Sequence, residues 1–169
     1  MIQVSIPRRS TPLRRDIHLA DEVATATLAA RLAARALRGD LIALDGDLGA
    51  GKTAFARAFI HARQHAAGVP PDEVPSPTFT LVQVYEVAPA AIWHFDLYRL
   101  SSPDEVYELG LDEALSAGIA LVEWPDRLGP LLPAERLDLS LRQGCGDDAR
   151  LACLVGHGTV GQRLVAAAP

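Results

Sequence analysis

Residues 41–53 read LIALDGDLGAGKT, and residues 54–66 continue AFARAFIHARQHA. The apolar run Leu41–Leu44 is short and ends at Asp45-Gly46, which marks a buried strand running into a turn. The segment after Thr53 is rich in Ala, Phe and Arg and reads as a helix. Strand, glycine-rich loop and helix therefore follow one another directly. Gly46-Asp47-Leu48-Gly49-Ala50-Gly51-Lys52-Thr53 satisfies G-x-x-x-x-G-K-[ST] in full. Its glycines permit positive φ and let backbone N–H groups approach phosphate oxygens closely. Lys52 is placed to meet β- and γ-phosphates, and the Thr53 hydroxyl to meet Mg²⁺. The helix that follows aims its positive end at the anion. Lys52 is the only lysine in the chain, all other basic residues being arginine. A compact ammonium fits inside such a loop where a planar guanidinium does not.

On either side of this unit the chain alternates elements. Residues 21–38 carry Val23, Leu28, Ala29, Leu32 and Leu37 at helical spacing, with Asp21 as N-cap and Gly39 as the stop. Residues 69–77, with four prolines, form a loop. TFTLVQVYEV (78–87) and AIWHFDLYRL (91–100) read as an antiparallel strand pair. SSPDEVYELG (101–110) is a helix with Ser102 as N-cap, Pro103 at its first position and Glu105 completing a capping box. LDEALSAG is a second short helix, and IALVE (119–123) is a buried strand. RLDLSLR (136–142) and ARLACLV (149–155) form a closing strand pair, and VGQRLVAAA a terminal helix. The predicted fold class is α/β: a P-loop NTPase-like mixed, mostly parallel sheet flanked by helices, with added antiparallel strands. Residues 1–169 read as one P-loop ATPase domain, with 1–15 a frayed N-terminal segment.

The chain has 169 residues and a formal net charge of −5. One domain typically takes roughly 100–200 residues. Nucleic-acid-binding domains carry a basic patch, so the acidic balance argues against binding RNA or DNA alone. Cys145 and Cys153 match no disulfide or metal spacing and read as small buried hydrophobes in a reducing compartment. No apolar run reaches the ~18 residues that cross a bilayer, and the arginine-rich start lacks the apolar core of a signal peptide. A cytoplasmic protein without a membrane partner is expected.

A P-loop ATPase needs a carboxylate at the end of a neighbouring strand for Mg²⁺. Glu123 after IALV has the cleaner strand before it and is assigned to the metal. Asp96 after AIWHF is assigned to water positioning or the outer metal shell, its plainer alternative being a turn cap. Ser76-Pro77-Thr78-Phe79-Thr80 occupies the region where a threonine-bearing segment senses the γ-phosphate in GTPase-like proteins, with Thr78 and Thr80 as candidates. A strand-entry turn is the alternative. His94 is a base or, more simply, a packed strand histidine. Trp124 lines the nucleotide pocket, faces a partner or packs in the core. Arg99 pairs with Asp96 or meets phosphate. Asp45 and Asp47 are turn residues.

GDLGAGKT, SPTFTLV, HFDLYRL and LVEWPDR, in this order and at this size, resemble the TsaE (YjeE) family. The likeness runs from near Glu22 to the closing strand pair and fades after about Gly144. It implies a bacterial ATPase of tRNA threonylcarbamoyladenosine (t6A) biosynthesis. Such a protein binds the TsaD–TsaB pair in the ATP state, and hydrolysis supports that pair's multiple turnover at tRNA adenosine 37. By motif match, Leu48, Gly49, Ala50, Gly51, Lys52 and Thr53 wrap the phosphates of ATP. Thr53 and Glu123 bind Mg²⁺, Asp96 aids hydrolysis, and the SPTFT segment is a switch. Glu22 falls on the base side of the nucleotide. Ala54 stands where a second hydroxyl residue is often found, and no required chemical group is missing. The resemblance brings tRNA to this chain only through the complex. No arginine finger is evident, so weak activity alone and stimulation by partners are expected. Two other readings remain at this point. One is a small-molecule kinase, although no arginine-rich lid lies between Arg99 and Gly144. The other is a nucleotide-gated interaction module with negligible catalysis.

Overall fold

The computed structural model describes residues 11–169. Seven strands form one sheet: β1 (Leu13–Leu19), β2 (Leu41–Asp45), β3 (Val82–Tyr85), β4 (Ile92–Asp96), β5 (Ile119–Glu123), β6 (Arg136–Gln143) and β7 (Arg150–His157). Their order across the sheet is β1-β7-β6-β2-β5-β4-β3. The four middle strands β6, β2, β5 and β4 run parallel. The outer pairings β1–β7, β6–β7 and β3–β4 are antiparallel. This is the mixed sheet expected, parallel at its centre with antiparallel margins.

Buried parallel strands must be apolar on both faces, and β2 and β5 show why LIAL and IALV are unbroken apolar runs. Ile42, Leu44, Ile119 and Leu121 point into one core layer, with α1 (Glu22–Arg35), α2 (Lys52–Ala66) and α4 (Gly158–Ala167). Leu41, Ala43, Ala120 and Val122 point into the other. That second layer is closed by α3 (Leu111–Ala117) and two 3₁₀ segments, Pro103–Tyr107 and Pro125–Leu131. The parallel strands thus end together at one edge, where ligands of open α/β sheets bind.

Asp21 caps α1 as expected, its carboxylate accepting from the Ala24 N–H at 2.8 Å. Asp21→Ala should cost about 1 kcal/mol. In a chain of this size that lowers the melting temperature by about 2–4 °C. A thermal melt unchanged by the substitution would show that the cap contributes nothing.

Several boundaries differ from the sequence reading. Of the segment 1–15 expected to fray, residues 1–10 lie outside the described residues, and residues 13–15 are not frayed. Leu13, Arg14 and Arg15 already pair with β7, Leu13 opposite Gly156. Helix α1 stops at Arg35 rather than 38. Buried Asp40 accepts the Leu37 N–H at 2.7 Å, and Arg163 of α4 holds that carboxylate at 2.6 and 2.8 Å. Leu37 is left exposed, as is Val23. Strand β3 begins at Val82, not 78, because the Leu81 N–H closes a turn on the Pro77 carbonyl at 2.7 Å. Strand β4 ends at Asp96, whose Oδ1 accepts the Tyr98 N–H at 3.1 Å and turns the chain. Ser102 makes no side-chain cap. The 3₁₀ geometry gives the Glu105 N–H to the Ser102 carbonyl instead, at 3.2 Å. Cys145 is exposed and Cys153 half-buried, both free, so neither is a core hydrophobe.

Candidate nucleotide site

Between β2 and α2 the glycine loop takes a shape that side chains would block. Gly46 has φ 142°, and a Cβ there would lie 2.4 Å from the Leu141 carbonyl oxygen of β6. Gly51, with φ 106°, caps α2 without a side-chain bond. The fifteen residues of α2 therefore present their positive N-terminal end directly to the loop. Arg150 braces the loop from β7, its Nε donating to the Ala50 carbonyl at 3.0 Å.

Lys52 is buried. Its Nζ donates to the Gly46 carbonyl at 2.6 Å and the Asp47 carbonyl at 2.9 Å. The ammonium also lies 4.1 Å from the centre of the Trp124 ring, a cation–π contact. Burial holds its pKa below the ordinary lysine value, and the carboxylates of Glu123, Asp45, Asp96 and Asp47 oppose that shift.

Asp96 and Glu123 are register partners at the ends of β4 and β5, both almost fully buried. Their surroundings differ. Glu123 takes the Thr53 hydroxyl, at 2.9 Å on Oε1 and 3.1 Å on Oε2. Asp96 touches no loop atom by hydrogen bond. Its Oδ2 accepts from the Ser76 hydroxyl at 2.7 Å and the Thr78 hydroxyl at 2.9 Å. One carboxylate is tied to the phosphate loop, the other to the SPTFT segment.

These groups line one cleft of about 380 Å³, with Leu48, Gly49, Gly51, Lys52, Thr53, Ser76, Thr78, Asp96, Glu123 and Trp124 on its walls. Trp124 adopts a left-handed backbone, φ 59°. That turns its ring onto Lys52 and against Tyr98, 4.9 Å between ring centres. A second cleft of about 260 Å³ lies across the loop, lined by Glu22, Thr25, Gly49, Ala50, Gly51, Ala54, Leu141, Asp148 and Arg150. Glu22 is thus on the far side of the loop from the carboxylates. Thr80 is exposed and lines neither cleft. Arg99 stacks over Phe79, 4.7 Å from the ring centre, rather than pairing with Asp96.

His94 is packed, as its simpler reading had it, but it also bonds: Nε2 lies 2.8 Å from Glu123 Oε1. The signal for this was present in HFD, since residues i and i+2 of a strand share a face. Arg150 left no such trace, its contact with Ala50 spanning 100 residues of sequence.

The donor set suits Mg²⁺. That ion is held by one or two carboxylates plus substrate phosphates, not by an all-protein cage. Among the described residues no group of three or more His, Cys, Asp or Glu gathers as such a cage. Thr53 and Glu123, by contrast, bring a hydroxyl and a carboxylate into contact beside the loop. Among the described residues no helix is long and apolar enough to cross a membrane.

Comparison with known proteins shows which family the chain resembles. The family model described as threonylcarbamoyl adenosine biosynthesis protein TsaE matches residues 19–151. A Rickettsia bellii protein named tRNA threonylcarbamoyladenosine biosynthesis protein TsaE is 41% identical over 133 residues, 79% of this chain and 89% of the relative. The Bacillus subtilis protein of that name is 41% identical over 128 residues, 75% of each. The crystal structure of Bacillus subtilis YdiB superposes with a TM-score of 0.73 at 29% identity, covering 92% of this chain and 94% of that one.

Proposed function

The chain belongs to the TsaE family of threonylcarbamoyl adenosine biosynthesis proteins, and from that premise we propose that it is a Mg²⁺-dependent ATPase serving t6A modification of tRNA. The observation that carries the reading is the contact of Thr53 with Glu123 beside Lys52, at the N-terminus of α2. It brings a hydroxyl and a carboxylate together beside a buried lysine at a helix end, which supports a site for phosphate and cation. Phosphoryl transfer asks the protein for little else than position and charge.

In this reading the amides from Leu48 to Thr53 hold the phosphate chain. Lys52 leaves the Gly46 and Asp47 carbonyls and meets the β- and γ-oxygens. Thr53 and Glu123 would hold Mg²⁺, which would supply positive charge to the phosphate oxygens. Asp96 orients the attacking water. The water oxygen bonds to the γ-phosphorus, the bond to the β–γ bridging oxygen breaks, and ADP and phosphate leave. Asp96 already accepts from Ser76 and Thr78. Its Oδ1 accepts only the Tyr98 N–H and keeps a lone pair for a water, so the attacking water and the SPTFT segment share one carboxylate, which couples hydrolysis to that segment. Phe79, 83% exposed at the tip of that segment, carries the coupling to the surface. The TsaD–TsaB pair is the partner that reads it, in the cytoplasm, and tRNA is met only through that pair.

Phosphate release from Mg·ATP, with and without TsaD–TsaB, tests this. Slow release alone and faster release with the pair are expected. Equal release in both would detach the ATPase from that partner. No release in either would leave a nucleotide-gated binding module, and a phosphorylated small molecule would make the protein a kinase.

A further inference from the structure

His94 is fully buried in the middle strand of the β3–β4–β5 margin, between Trp93 and Phe95. An imidazole there needs a reason, because a buried polar group costs free energy unless it is bonded. Nε2 has one partner, Glu123 Oε1 at 2.8 Å, and buried Nδ1 has none. The hydrogen therefore sits on Nε2 and points at the carboxylate. All the polar contact this side chain makes goes to Glu123. Packing alone would be served as well by phenylalanine, without an unpartnered nitrogen.

We propose that His94 is a positioning residue that holds the Glu123 carboxylate in the orientation needed for a divalent cation shared with Thr53. The inference rests on the Mg²⁺ reading above. A glutamate has three side-chain torsions, and two donors converging on Oε1 fix its plane. The two donors are not equivalent. Thr53 stands at the start of α2 and must also offer its oxygen to the cation. His94 stands in the sheet, with strands paired on both sides, and has no other polar partner. Its hydrogen bond is the fixed reference on Oε1, while Oε2 has only the Thr53 hydroxyl, at 3.1 Å. Hydrogen-bonded supports of this kind are worth 10–100-fold in metal affinity.

Three variants separate this role from packing. In His94→Gln the amide nitrogen reaches the place of Nε2. In His94→Asn it stops at the place of Nδ1, and His94→Phe fills the volume without a donor. Mn²⁺ binding to the protein·ADP complex is measured by electron paramagnetic resonance, and metal-free ADP binding by calorimetry. Asn and Phe should weaken Mn²⁺ binding about 10–100-fold, with Gln close to the parent chain. Metal-free ADP affinity should stay the same in all four proteins. Should the Phe variant not fold, the Gln and Asn pair decides. Parent-like Mn²⁺ affinity in Asn, or Gln falling as far as Asn, overturns the proposal. So does a parallel loss of metal-free ADP binding, which would mark a structural role. If the parent protein·ADP complex binds no Mn²⁺, the Mg²⁺ reading itself fails and takes this inference with it.

Discussion

Lys52→Ala is expected to lower phosphate release from Mg·ATP by about 10²–10³-fold, the usual cost of removing one preorganised charge-stabilising donor. The fold should survive, because the loop's shape is set elsewhere. Gly46, Gly49 and Gly51 supply its positive φ values, and Arg150 pins the Ala50 carbonyl. Lys52→Arg should fail almost as badly. The ammonium sits between two carbonyl oxygens and the Trp124 ring, a space shaped for a point charge and not a planar fork. Lys52→Met isolates the charge from the volume. Burial holds the lysine pKa below its ordinary value, so the charged form is less stable in the folded chain than in the unfolded one. Between the lowered and the ordinary value the unfolded chain binds more protons, and stability of the parent rises with pH there. At neutral pH the penalty is present in full. The Lys52→Met chain should therefore melt no lower than the parent at pH 7, and its advantage should shrink as pH climbs through that window. A lower melting temperature together with lost activity would mean that Lys52 holds the fold, and the catalytic assignment would lose its support.

The parts of the fold that were legible are those where one physical signal dominates. LIAL and IALV read as strands because both faces are buried, and the structure gives them as β2 and β5. The glycine loop read clearly because positive φ leaves few other residues available. What failed were ends decided by distant side chains. Helix α1 stops early because Asp40, fixed by Arg163 from the far end of the chain, takes the Leu37 N–H. Nothing near Leu37 announces that. TFTL alternates like strand, yet its first residues are drawn into a turn by Asp96, through Thr78 and Ser76. The same carboxylate was legible as a site candidate and illegible as the cause of a boundary. Likewise the phosphate loop and both acids stood out by local pattern. His94 and Arg150 act through contacts whose partners lie 29 and 100 residues away. Local spacing carries no record of such pairs beyond the shared strand face of His94 and Asp96.

Glu123→Ala and Asp96→Ala are expected to abolish turnover to a similar depth, about 10²–10³-fold each, but by different routes. The structure distinguishes the two acids by what they hold. Glu123 is bonded to Thr53, the loop hydroxyl beside Lys52. Its loss would remove the proposed cation ligand and leave the Thr53 and His94 donors facing an emptied pocket. Nucleotide binding should persist, since the loop amides and Lys52 remain, while its dependence on Mg²⁺ disappears. Asp96 is bonded to Ser76, Thr78 and the Tyr98 N–H. Its loss frees the segment between Pro75 and Leu81 but leaves Thr53 and Glu123 in contact. Mg²⁺ should still strengthen ADP binding there, and single-turnover hydrolysis should be what fails. Asp96→Asn sharpens the comparison, because the amide oxygen still accepts from one hydroxyl while the carboxylate charge is gone. A chain that keeps the segment ordered and still hydrolyses nothing would place the defect at the attacking water. Calorimetry of ADP with and without Mg²⁺ on the two alanine variants decides the assignment. If Asp96→Ala loses the Mg²⁺ dependence and Glu123→Ala keeps it, the two roles are exchanged, and the bond from Thr53 to Glu123 marks the water-orienting acid instead.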